Sequence, residues 1–133
     1  MAYYLKLYCV TFIAFLVIDM VWLGIVARTF YQKHLGFLMA PGINWFAAIL
    51  FYLLFIVGIL VFVVVPGLNG SPLSTTLLRA ALFGIITYST YDLTNLSTIK
   101  DWPLIVTVID IIWGMVLSLS VSFVSLMAGK WLS

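Results

Sequence analysis

Four long apolar runs, separated by short segments rich in glycine, proline and charge, dominate the chain. Each run has about 20 residues or more, the length that a helix needs to cross the hydrocarbon core of a bilayer. We predict helices over about residues 3–27, 43–65, 75–97 and 104–126, the second ending before the breakers Pro66 and Gly67. The pattern therefore predicts an all-α fold, a polytopic transmembrane four-helix bundle that forms one domain over residues 1–133.

Composition supports a membrane location. Hydrophobic residues make up 65% of the 133 residues and charged residues 8%, whereas soluble domains carry about 25% charged residues. The net charge of +2, without a basic run, argues against nucleic acid as a partner. A single cysteine, Cys9, excludes an internal disulfide. The lipid bilayer is the partner that the sequence predicts directly.

The acidic residues are few, and their positions are informative. The chain has no glutamate and four aspartates, of which Asp101 lies in a predicted loop and the other three lie inside apolar runs. At the helical rise per residue, Asp19, Asp92 and Asp110 lie roughly 12, 8 and 10 Å from the same face of the membrane. We therefore expect these three carboxyl groups to converge at one depth in the bundle.

Helical spacing adds further residues to the predicted site. Tyr88 and Asn95 lie four residues before and three residues after Asp92, and so share its helical face. Trp22 lies three residues after Asp19, and Trp113 lies three residues after Asp110. Asn44 begins the second helix on the same side. The predicted ligand-binding residues are Asp19, Asp92, Asp110, Asn95, Tyr88, Asn44, Trp22 and Trp113. The sequence predicts no metal site and identifies no cofactor.

Like charges this close in a low dielectric cannot all stay ionised. We therefore expect at least one of the three carboxyl groups to be protonated near neutral pH, or a cation to lie among them. A purely structural role is the alternative, because intramembrane aspartates also hydrogen-bond between helices, at about 0.6 kcal/mol on average.

Three functions remain open at this point. The leading hypothesis is binding of a small cation, a proton or a protonatable ligand at the carboxyl groups; transport of that ligand would favour a homodimer, since four helices enclose little space. The second is a membrane enzyme or binding protein for lipid or isoprenoid-like substrates, in which the carboxyl groups act as general acid and base or hold a divalent ion. The third is an accessory subunit of a larger membrane complex. No known catalytic motif decides whether the protein is an enzyme.

The run from Thr90 to Pro103, TYDLTNLSTIKDWP, resembles a family of small multi-helix bacterial inner-membrane proteins classed as a domain of unknown function. Ile18-Asp19-x-x-Trp22-Leu23-Gly24 and Asp110-x-x-Trp113-Gly114 extend the resemblance over nearly the whole chain. It implies a bacterial inner (cytoplasmic) membrane and brings no activity, cofactor or site residue. Basic residues separate the two sides only slightly, and on that basis we assign both termini to the cytoplasmic side.

Overall fold

The computed structural model describes residues 1–133 and contains five helices, α1 Ala2–Val26, α2 Arg28–Leu35, α3 Trp45–Leu68, α4 Leu73–Thr98 and α5 Leu104–Leu132. The prediction of an all-α fold is therefore confirmed. Three of the helices, α1, α3 and α5, are long and apolar enough to cross a membrane. The fourth long helix, α4, is continuous but contains more polar residues than the other three, including Arg79 and Asp92.

Helix α5 is the centre of the structure. It packs most extensively against α4, next against α1, and its C-terminal half also contacts the last turns of α3. Its buried residues recur at intervals of three and four, which is the spacing of one continuous helical face. They are Val106, Thr107, Asp110, Gly114, Leu117, Ser118, Val121, Ser122, Ser125, Leu126 and Gly129. This face carries one of the three intramembrane carboxyl groups into the interior.

Two glycines allow α4 and α5 to approach closely. A Cβ atom added to Gly84 would overlap the carbonyl group of Gly114, and one added to Gly114 would overlap the ring of Tyr88. Small residues at a helix–helix interface permit backbone contact of this kind. The contact also holds the Tyr88 ring against α5, one turn from Asp110.

A cluster of large apolar side chains fixes α1 and α3 on α5. Its fully or almost fully buried members are Leu7, Phe15, Phe55, Ile56, Ile59, Val64, Leu117 and Val121. Close packing of such side chains resists a shift of one helix along another. The cluster therefore provides a rigid base for the polar residues that lie nearer the other end of the helices.

Three local features differ from the sequence prediction. Helix α5 continues to Leu132, six residues beyond its predicted end at residue 126. Helix α3 continues through Pro66 to Leu68, three residues beyond the predicted end. The preceding segment Leu60–Val64 has wider, π-helical turns, so Pro66 falls in the first turn of a new α-helical segment, where its missing N–H group breaks no bond. The connection between the first two predicted spans is also partly helical, since it contains α2.

Candidate functional site

A cavity of about 370 Å³ lies at the meeting point of all five helices. Seven of its lining residues are aromatic and two are carboxylic acids, and none is lysine, arginine or histidine. The lining consists of Asp19, Trp22, Leu23, Tyr31, Ala48, Phe51, Tyr52, Thr87, Tyr88, Tyr91, Asp110 and Trp113. Both acids are largely buried, Asp19 at 6% and Asp110 at 7% exposure. We call this space the aromatic cavity.

Two stacked tryptophans form one wall of the aromatic cavity. The rings of Trp22 and Trp113 lie 4.4 Å apart between centroids and only 7° from parallel. The indole N–H of Trp113 donates a hydrogen bond of 3.4 Å to Asp19 Oδ1. The two side chains come from α1 and α5, each one turn after an aspartate. Their stacking therefore positions the two carboxyl-bearing segments relative to each other.

Tyr31 links α2 to both α1 and α5 through hydrogen bonds. Its hydroxyl group accepts a hydrogen bond of 3.2 Å from the Trp22 indole and donates one to Asp110 Oδ1. Burial, and next the hydrogen bond to Asp110, raise the pKa of Tyr31 far above its usual value, so the hydroxyl stays protonated and available as a donor. Tyr31 is not among the residues predicted from the sequence to form the site. The sequence feature that could have indicated this role is that Tyr31 is an aromatic residue in a short connection, and the adjoining helices keep that connection near the site.

Replacing Tyr31 by Phe removes both hydrogen bonds while keeping the ring. We expect Tyr31→Phe to lower the free energy of unfolding by about 1.5–3 kcal/mol, the usual range for a hydrogen bond to a charged group. Amide hydrogen exchange over residues 28–35 is expected to speed up, because α2 loses its polar anchor. Unfolding in mixed micelles and exchange mass spectrometry measure both effects. Tyr4→Phe, at a residue that is 53% exposed, is the matched control, and equal effects of the two substitutions would contradict the assignment.

Asp92 lies behind Asp110, as seen from the aromatic cavity. Its side chain neighbours the Asp110 carboxyl group, but Asp92 itself is 0% exposed and does not line the cavity. Neither carboxyl oxygen of Asp92 has a hydrogen-bond partner. The two acids therefore form a buried pair of which only Asp110 faces the open space.

The predicted site residues divide into two groups. Five of the eight line the aromatic cavity, namely Asp19, Trp22, Tyr88, Asp110 and Trp113. Asp92 lies behind it, and Asn95 lies one turn beyond Tyr91, outside the lining. Asn44 is exposed and caps α3, its side-chain oxygen accepting a 3.2 Å hydrogen bond from the Ala47 amide. The carboxyl groups do not form a cluster of three that could hold a metal ion.

No curated protein and no solved structure matches the chain. A family described as predicted membrane proteins, DUF2177, matches residues 4–127, a range that includes all five helices in whole or large part and every residue lining the aromatic cavity. The match agrees with the resemblance inferred from the aspartate-containing segments. The chain belongs to the DUF2177 family of predicted membrane proteins.

Proposed function

We propose that the protein binds a small organic cation, or a ligand that becomes cationic by protonation, in the aromatic cavity. The observation that carries the proposal is the lining itself, which combines two buried carboxyl groups with seven aromatic rings and no basic side chain. Carboxylates attract a cation directly. The faces of tryptophan and tyrosine rings add about 0.5–2 kcal/mol each through cation–π interaction.

A positively charged ligand would offset the free energy that is needed to keep ionised aspartates inside a membrane. An ionised aspartate near the centre of a bilayer costs about 2.5–3.5 kcal/mol on insertion scales. The cavity holds two aspartates, and hydrogen bonds from Tyr31 and Trp113 are the contacts that offset their desolvation. A bound cation would supply the missing opposite charge.

The walls favour an organic cation over a bare metal ion. Nine of the twelve lining residues are hydrophobic, and such walls bury the apolar body of a ligand. Divalent metal ions instead require several oxygen ligands in a fixed shell. The ligand class that fits is a small ammonium compound with aliphatic or aromatic substituents.

The proposal includes four membrane spans. Helix α4 has 26 residues, about 39 Å at the helical rise, and it lies along α5, so we treat it as a fourth span beside α1, α3 and α5. Both termini would then lie on one side, which we assign to the cytoplasmic side of a bacterial inner membrane. A reporter that is active only in the cytoplasm, fused after Ser133, tests this; an inactive fusion of a stably inserted protein would contradict it. If the protein also transports its ligand, we propose that two copies of the chain form the transport path together as a homodimer.

The direct test compares a charged probe with its neutral isostere. Benzyltrimethylammonium and neopentylbenzene have nearly the same shape and differ by one positive charge. Equilibrium dialysis against the protein in nanodiscs, with empty nanodiscs as the reference, is expected to show saturable binding of the charged probe alone. Equal saturable binding of the neutral probe would favour the lipid or isoprenoid alternative. Absence of saturable binding of the charged probe would contradict the proposal.

A further inference from the structure

The Asp92 carboxyl group is sealed inside the protein without a hydrogen-bond donor. It is 0% exposed, and both of its oxygens lack a partner. Trp102, which is 8% exposed, donates its indole N–H to Thr107, and the Thr107 hydroxyl donates to the Asp92 backbone carbonyl. These two donors are therefore used elsewhere. The Thr107 contact places Asp92 one turn from Asp110, whose carboxyl group neighbours that of Asp92.

An ionised Asp92 would be strongly unfavourable at this position. A buried charge without a partner costs several kcal/mol, and here a second carboxylate lies beside it. The titratable groups that line the cavity beside the pair include no positive charge: they are Asp19 on α1, Tyr31 on α2, Tyr52 on α3, and Tyr88 and Tyr91 on α4. A proton between the two acids removes one charge and provides the donor that Asp92 lacks.

We propose that Asp92 carries this proton and donates a hydrogen bond to Asp110, which is thereby held as the ionised carboxylate facing the aromatic cavity. Asp110 then accepts hydrogen bonds from two sides, from Tyr31 on α2 and from Asp92 on α4. Asp92 acts as a positioning residue, because it touches Asp110 and not the ligand. Its role in binding rests on the proposed function, whereas its protonation does not.

Infrared spectroscopy tests the protonation without any ligand. The difference spectrum between wild-type protein and Asp92→Asn at neutral pH is expected to contain the C=O stretch of a protonated carboxylic acid, shifted in D₂O. Asp101→Asn, in the exposed loop, is expected to remove only carboxylate bands. If Asp92→Asn also removes only carboxylate bands, the inference is wrong, whatever the binding experiments show.

Two substitutions of Asp92 test the positioning role. Asparagine keeps a neutral hydrogen-bond donor next to Asp110, and leucine keeps a similar volume without one. Binding of benzyltrimethylammonium is expected to change by less than about threefold in Asp92→Asn and to weaken at least about tenfold in Asp92→Leu. A large loss in Asp92→Asn, with a wild-type protein that binds, would show that the charge of Asp92 matters and overturn this inference alone. A wild-type protein that does not bind, with the infrared result as expected, would overturn the proposed function alone.

Discussion

Asp110→Asn is expected to weaken binding of benzyltrimethylammonium at least about 30-fold. Removing one member of a buried, hydrogen-bonded charge pair costs about 2–5 kcal/mol, and 2 kcal/mol corresponds to about 30-fold in affinity. Asp110 lines the aromatic cavity and accepts a hydrogen bond from the Tyr31 hydroxyl, so its charge is well placed to meet a cation. Equilibrium dialysis in nanodiscs at constant ionic strength measures the change.

Asp101→Asn is the matched control for this substitution. It removes the same charge from an exposed turn between α4 and α5, where surface charges contribute little. Its binding affinity is expected to stay within about twofold of wild type. An Asp110→Asn variant that folds normally and binds as tightly as Asp101→Asn would mean that the cavity carboxylate does not hold the ligand.

Trp113→Leu is expected to produce the second large loss, about tenfold or more. The substitution removes the ring that stacks on Trp22, the N–H donor to Asp19, and one cation–π surface, the last worth about 0.5–2 kcal/mol. Trp113→Phe keeps an aromatic face and is expected to lose less. Trp131→Leu, at a residue that is 84% exposed, is the control. If the Trp113→Leu and Trp131→Leu variants bind equally well, the stacked wall takes no part in binding.

The helices were predictable because each apolar run is long and its ends carry breakers or charge. The same reasoning at 1.5 Å per residue predicted a shared depth for the aspartates, and Asp19 and Asp110 do line one cavity. Trp22 and Trp113 were predictable from their spacing to these acids. The position of a residue along its helix, and the helical face on which it lies, depend only on sequence spacing, so both could be predicted.

The remaining parts of the site depend on tertiary contacts that spacing does not encode. Tyr31 reaches Asp110 on α5 only because α2 packs against the end of α1. Asn44 was predicted at the site from its place at the start of the second helix, but its side chain accepts a local hydrogen bond from the Ala47 amide and does not line the cavity. Asp92 shares a helical face with Tyr88, yet the close contact of Gly84 with Gly114 leaves Tyr88 in the cavity and Asp92 behind Asp110.

The most direct test of a cation site beside the stacked tryptophans is the nuclear Overhauser effect from the N-methyl protons of bound benzyltrimethylammonium in deuterated detergent. We expect cross-peaks to the indole protons of Trp22 and Trp113, assigned by single Trp→Phe substitutions, and we expect these cross-peaks to be lost in Asp110→Asn. Cross-peaks to the exposed Trp45 and Trp131 alone, unchanged by Asp110→Asn, would contradict this expectation.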